Sequence, residues 1–500
     1  MTATTLAELV ANPSANKKYL VILKPFNVAS SSVVTLHLSG EGFTTEPTDS
    51  PANTYFEPRL AEPLNFSRSM FSEGKLGGQS IPSFGAVVFT NADGGLDEFG
   101  SYAWDGREVE VKVGESGAGL EHYFTIFKGE SKAVEFDDLF VNVLIRDNQE
   151  DFTTDIQNTF YAGTGGNEGS ANLKGQPKPL CFGQVKNISP VLVDATNNIY
   201  QVHDGEINSI DAVYDQGVAL TVTTDYTTDL ANGRFTLVAA PTGLVTADIK
   251  GAEPSGTYIN KAGDIINELV QTFGGISSSD VDSASITALN TANSNPVGIY
   301  LDAPITTLAV LDDLANTVGA FFGFDRDGKF EVGRIELASG TADAEFDSTS
   351  IITLQRLASS VPNHRVRVTY SKNYTLMDET DLGASVTTAN RDFMVREALV
   401  EKAETAAVLT AYPNSQELFV NSQFATSAGA SAEATRLNTL YGTQRDFYRV
   451  KVKTQPYTLK LNDVVKITFN RYNLTSGKLF RVISLIEDAA VNEVELELWG

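Results

Sequence analysis

The sequence predicts a mainly β, multi-domain protein built from β-barrel or β-sandwich domains with smaller α+β inserts. Three observations predict it. Apolar and polar residues alternate in many short runs, clusters of turn residues separate those runs, and helical periodicity is confined to a few segments. With 500 residues the chain also exceeds the size at which one hydrophobic core keeps growing, so several domains are expected.

The strand pattern is plainest where Val109, Val111 and Val113 alternate with Glu110 and Lys112 directly after the Asp105-Gly106 turn pair. It recurs at Val366, Val368 and Tyr370, at Tyr448, Val450 and Val452, and at Val494, Leu496 and Leu498 between Glu493, Glu495 and Glu497. Turn clusters such as Asn91-Ala92-Asp93-Gly94-Gly95 and Asp325-Arg326-Asp327-Gly328 favour antiparallel neighbours over βαβ units. No internal repeat of fixed period is present.

Three helices are predicted. Ile265, Ile266, Leu269, Val270 and Phe273 share one helical face, and Gly274-Gly275 stops it. Leu308, Leu311, Leu314 and Val318 form a second stripe, which runs into Phe321-Phe322-Gly323-Phe324, a turn at Asp327-Gly328, and Phe330-Glu331-Val332. That order reads as a helix packed on a hairpin, an α+β insert. A third helix, from about Ala430 to Tyr441 and closed by Gly442, precedes an all-β carboxy-terminal run.

The Gly- and Pro-rich stretch Tyr161 to Gly183 divides two β regions, and a second boundary is placed near Gly251 to Gly256. The expected domains are therefore 1–160, an amino-terminal β domain; 161–255, a second β domain; 256–375, an α+β domain; and 376–500, one helix with a closing β-barrel.

Composition narrows the function. At 42% hydrophobic and 20% charged residues, the chain can build several cores. The start lacks a basic segment followed by an apolar run, and no stretch approaches the ~20 apolar residues of a membrane span, so synthesis in the cytoplasm without membrane insertion is expected. A single cysteine, Cys181, permits no internal disulfide and no Cys-based zinc or iron–sulfur site. The net charge of −26 argues against stable binding to a phosphate backbone. It fits either plain solubility or a conduit past which DNA slides without sticking.

Motifs for chemistry are weak. His37, His122, His203 and His364 are scattered, outside any metal-ligand spacing. Gly163 to Gly169 lacks the Gly-Lys-Ser/Thr of a phosphate cradle, and Gly74-Lys75 and Gly477-Lys478 are each followed by Leu. Asp325, Asp327 and Gly328 look like part of a calcium loop, but Arg334 stands where the bidentate acid belongs, so a hairpin turn explains them better. Cys181 with His203 suggests a cysteine nucleophile and base, against the simpler reading of a small hydrophobe between Leu180 and Phe182. Carboxylate pairs for glycoside hydrolysis depend on spatial proximity, which 63 acids in a sequence do not reveal. No residue is assigned to catalysis, to a cofactor or to a metal.

The segment LKGQPKPLCFGQVKNISPVLVD (Leu173 to Asp194), followed by YQVHDGEINSIDAVYDQG and LANGRFTLVAAPTGLVTADIKG, resembles the hub or tail-tip proteins of long-tailed bacteriophages and prophages. Upstream, TEPTDSPANTYFEPRL and DGREVEVKVG, and downstream LNDVVKITFNRYNLTSGKLFRVISLIEDAAVNEVELELWG, are similar to the flanking regions of such hubs. The resemblance implies a structural, non-enzymatic baseplate hub in the virion, with two tube-like barrels per subunit. A homotrimer would set these in a pseudo-sixfold ring that closes the DNA channel until host attachment.

It implies as partners a distal tail protein, the tape-measure protein and tail fibres or a tip spike, with DNA only in transit. Some relatives carry an iron–sulfur site, for which one cysteine is too few. The chain stops after the closing β region, so lysis and receptor binding are expected of other proteins. The rival readings are a receptor- or glycan-binding tip protein and a cell-wall-degrading tail enzyme.

Overall fold

The computed structural model describes residues 3–12, 14–70, 83–453 and 457–500. The chain is mainly β, in several sheets with helical inserts, as the alternating pattern predicts. Strand Arg107–Glu115 is typical: Val109, Val111 and Val113 are wholly buried while the residues between them are half-exposed. It runs antiparallel to Lys17–Leu23 on one side and Phe124–Phe136 on the other. Phe140–Arg146, Phe84–Thr90 and Leu60–Ser69 extend the sheet. These strands curl around a single core that includes Val21, Leu64, Val87, Val111 and Val143.

The carboxy-terminal strands Phe447–Lys453, Lys478–Asp488 and Glu493–Trp499 pair antiparallel around a second core of Tyr448, Val450, Val465, Phe480 and Leu496. Ile351–Arg356 lies on their outer side.

The two curled halves, distant in sequence, join edge to edge. Strand Lys478–Asp488 pairs antiparallel with Leu60–Ser69 through Ser484 and Ser69, Leu485 and Arg68, Ile486 and Ser67, Glu487 and Phe66, and Asp488 and Asn65. The result is one sheet of 15 strands. Among the described residues no sheet closes into a barrel, which differs from the closed form expected above. The reason is topological. Leu60–Ser69 spends its edges on Phe84–Thr90 and on the seam, while Lys17–Leu23 across the core is paired with Arg107–Glu115 and Leu36–Ser39, so the two strands that would have to meet are each already paired on both sides.

The middle of the chain builds a five-stranded sheet including Leu180–Ile188, Ile207–Asp215, Val245–Ala252 and Gly298–Leu301. Gly183 sits there at φ +66, and a Cβ would stand 2.0 Å from the carbonyl oxygen of Val297, so only glycine fits.

Helices follow the predicted stripes. Ala262–Thr272 buries Ile265, Ile266, Leu269 and Val270; Thr307–Val318 is capped by the Thr306 hydroxyl and closed by Gly319 at φ +63; Ser427–Tyr441 starts at a Thr426 cap. A fourth long helix, Ser283–Ala292, escaped prediction because only Ile286 and Leu289 of its residues are buried. The predicted hairpin is present as Ala320–Phe324 and Phe330–Arg334.

A buried ion cluster ties this insert together. Glu433, whose side chain is wholly buried, accepts from Arg334 Nη2 at 2.6 Å and from Arg436 Nε at 3.0 Å. Arg334 also donates to the carbonyls of Ala292 and Val318, the last residues of two helices, and so caps both. Glu433→Gln leaves two largely buried guanidiniums without their shared carboxylate. It is expected to cost about 3–5 kcal/mol, read from the midpoint of urea unfolding; an unchanged midpoint would show that half-exposed Glu336 suffices as counter-ion.

Candidate functional site

The most elaborate polar constellation lies where the insert meets the seam. The hairpin tip is shaped by Asp325, whose Oδ1 accepts from the backbone N–H of Asp327 and of Lys329, each at 2.9 Å, with Gly328 at φ +74. This carboxylate is used by the turn itself, as the hairpin reading of the sequence requires.

The tip carries Arg326 into the interior. Its Nη1 donates to Glu487 Oε2 at 2.7 Å, its Nη2 to Glu487 Oε1, and the same Nη2 to the carbonyl of Leu459 at 2.9 Å. Glu487 is 1% exposed and belongs to the seam strand. Arg68, on the partner strand of the seam, is 4% exposed; its guanidinium lies 5.1 Å from the centre of the Phe66 ring and its Nε has no hydrogen-bond partner among the described residues. Burial first, and the positive charge of Arg326 second, push its pKa down to about 10.

Around the rim, Lys460 Nζ reaches Glu331 at 3.4 Å and Asp325 at 3.7 Å. The neighbouring Asp463 carboxyl is raised by burial to about 6. Chemically this is an ionic joint: bidentate, desolvated and fixed in geometry, suited to clamping three segments together.

The structure brings Cys181 and His203 together, but not as nucleophile and base. His203 Nδ1 accepts the backbone N–H of Cys181 at 2.9 Å, and its ring stands edge-on to Phe182, 5.9 Å between centroids. The thiol belongs to the core containing Val185, Tyr200 and Ile249. Burial holds that thiol protonated far above its ordinary range and pushes the imidazole down to about 4. As placed, the pair is a backbone pin beside a small hydrophobe.

The other histidines stay apart. His37 packs against Phe56, His122 lies 3.4 Å from Glu121, and His364 lies 3.3 Å from the Ser415 hydroxyl. Among the described residues no group of three His, Cys, Asp or Glu side chains is arranged to hold a metal ion. The glycine loop folds on itself: Gly163 N–H donates to the Glu168 carbonyl at 2.9 Å and Gly165 N–H to that of Gly169 at 2.7 Å, so these amides are spent. Lys478, after Gly477, pairs with Asp446 at 2.9 Å. Gly74-Lys75 lies outside the described residues.

An open groove of about 700 Å³ in the amino-terminal half is lined by His37, Asp49, Phe56, Glu110, Lys112 and Glu121. Its acids are engaged: Asp49 accepts the backbone N–H of Glu46 at 2.7 Å, Glu110 pairs with Lys112 at 2.7 Å, and Glu121 faces His122.

Sequence reasoning missed Arg68, Arg326 and Glu487 as a group. A signal existed: Arg68 continues the inward phase of Leu64 and Phe66, and Glu487 that of Leu485, so both are charges at core positions.

No protein-family model and no curated protein matches this chain. In structure it is similar to phage and prophage tail proteins. The 43 kDa tail protein of prophage MuSo2 from Shewanella oneidensis is 10% identical, over 96% of this chain and 98% of the other, with a TM-score of 0.43. A tail protein from Neisseria meningitidis is 9% identical over 96% of each chain, with a TM-score of 0.43. A chain of the virion of a native gene transfer agent particle is 13% identical over 65% of this chain and 84% of the other, with a TM-score of 0.45.

His203 has a depressed folded-state pKa, so its contribution to stability is present above pH 6.5 and lost as pH falls through about 4. We expect acid unfolding across that window to be shallower in His203→Gln, by up to about 3 kcal/mol at the acid end. Titration of the urea midpoint from pH 7 to pH 4 measures it, and identical slopes in the two proteins would refute the assignment.

Proposed function

We propose that the chain is a structural hub of a long-tailed phage or prophage tail tip, three copies of which enclose the tail axis. The observation that carries this reading is the seam: two curled β units, far apart in sequence, set side by side in one continuous sheet. A trimer of such pairs presents six β units around an axis, the number needed to continue a sixfold tube. The sequence blocks quoted above support the same reading. In it, a distal tail protein sits on one side of the ring, fibres or a tip spike on the other, and the end of the tape-measure protein in the lumen. The role is one of assembly and channel closure, without catalysis.

Surface chemistry supports a wall past which DNA slides. One row on the uncovered side of the sheet passes through Thr353, Lys451, Glu495, Ile486, Ser67, Phe84 and Arg146 on seven adjacent strands. Three cations of this face are held by neighbouring carboxylates, Lys451 by Glu493 at 2.5 Å, Arg449 by Glu497 at 2.6 Å and Arg146 by Glu130 at 2.5 Å, while Lys453 beside them is exposed. Between them, Ile486, Ser67 and Phe84 carry no charge. A polyanion finds few free cations there to exchange for its counter-ions.

Symmetry-resolved imaging of intact tails, with light scattering on the purified chain, tests the proposal. Three copies around the tail axis are expected. A monomer bound off-axis, or a chain absent from the particle, would overturn it.

A further inference from the structure

The ionic joint holds one more buried cation than its central carboxylate engages. Glu487 is bonded by both terminal nitrogens of Arg326, whereas Arg68, equally buried, has among the described residues no partner for its Nε and no carboxylate in contact. A buried guanidinium in that condition is costly, and a strand position so placed is ordinarily filled by an apolar side chain.

The register places the two groups. Leu485 stands opposite Arg68 and Phe66 opposite Glu487, so Arg68 and Glu487 are diagonal neighbours on the same buried face of the seam, within reach of long side chains. Among the described residues the other acids facing Arg68 are engaged elsewhere. Asp147 accepts from the backbone N–H groups of Ser83 and Gln149, and Glu331 faces Lys460.

We propose that Arg68 is the reserve partner of Glu487, and that the joint is a two-position latch. In the position seen, Glu487 grips Arg326 and the hairpin is docked on the seam. In the other, Glu487 turns along the seam to Arg68, and Arg326 swings toward solvent with the hairpin tip, Asp325 to Gly328, while Phe321, Phe322, Phe324, Phe330 and Val332 of the hairpin strands stay in the core. The exchange keeps the carboxylate paired throughout, so the tip can lift from the seam without stranding a charge in the interior. Three local features suit release: Arg326 sits at a hairpin tip, its remaining bond is to the single carbonyl of Leu459, and the rim contacts of Lys460 with Asp325 and Glu331 are long and partly exposed. The latch couples the α+β insert to the sheet joint, and it stands whether or not the chain occupies a tail.

The test is the effect of Arg68→Met in two backgrounds, read as urea unfolding midpoints of the full chain. Alone, the substitution removes an uncompensated buried charge, and the midpoint is expected to hold or rise. In Arg326→Met, Glu487 depends on Arg68, and the same substitution is expected to lower the midpoint, by about a tenfold change in the unfolding equilibrium. The same effect in both backgrounds overturns the latch. Should Arg326→Met fail to fold, hydrogen exchange decides between wild type and Arg68→Met. Removing the reserve partner is expected to slow exchange of the hairpin-tip amides, residues 325–329, by about threefold or more. Unchanged or faster hairpin exchange overturns the proposal.

Discussion

Everything around the seam depends on burying one carboxylate, Glu487, between β units that come from opposite ends of the chain. A desolvated carboxylate is tolerated only with a cation in good geometry, and breaking such a pair by removing one partner typically costs about 3–5 kcal/mol. That requirement fixes where the insert must sit. Arg326 can satisfy Glu487 only if the hairpin tip is docked on the seam, and the tip in turn is given its shape by the Asp325 carboxylate. The pair thereby sets the position of the helices packed behind the hairpin, whose ends are held by Arg334, Arg436 and Glu433. Apolar packing supplies the driving force for each core, but it is nondirectional. The two ion clusters supply the direction.

The same logic runs over the sheet surface in weaker form. Exposed pairs such as Arg449 with Glu497 contribute little stability each. Repeated across registered strands, they pair cations that would otherwise stand free on a surface whose chain carries a charge of −26. Local neutrality on one face and overall negative charge are therefore compatible. The acids in excess lie elsewhere, many of them capping turns, as Asp194, Asp347 and Asp282 do.

Much of the local structure was legible from the sequence. The alternation at Val109 to Val113, Tyr448 to Val452 and Val494 to Leu498 gave strands, and the stripe from Leu308 to Val318 with its following turn gave the helix and hairpin. Helix Ser283–Ala292 was missed because a helix that buries two side chains leaves little periodicity to find. What could not be read was pairing between distant segments. Nothing local in Leu60–Ser69 specifies Lys478–Asp488 as its neighbour, because strand partners are chosen by global topology. The charges at core positions were visible in the phase of their strands, but the meeting of Arg68, Arg326 and Glu487 was not, because they lie on three segments. Cys181 and His203 show the converse case, two residues brought together as their chemistry suggested but joined through a backbone N–H rather than the thiol, in keeping with Cys181 as a small hydrophobe.

Edge use explains why the sheet stays open. A strand has two edges, and a curled sheet that closes on itself uses both ends internally. Here Leu60–Ser69 gives one edge to its own half and the other to the carboxy-terminal half, so closure of either unit is exchanged for a joint between them. The unpaired edges of this sheet then lie at Ile351–Arg356 and at the short strands Phe43–Thr44 and Ala344–Phe346. Open edges invite pairing with another chain unless they are short, charged or covered. The other edges are blunted by brevity, two and three residues, whereas Ile351–Arg356 has six residues and exposes Ile352. If further subunits extend this sheet, the longer edge is the one with enough backbone to hold them.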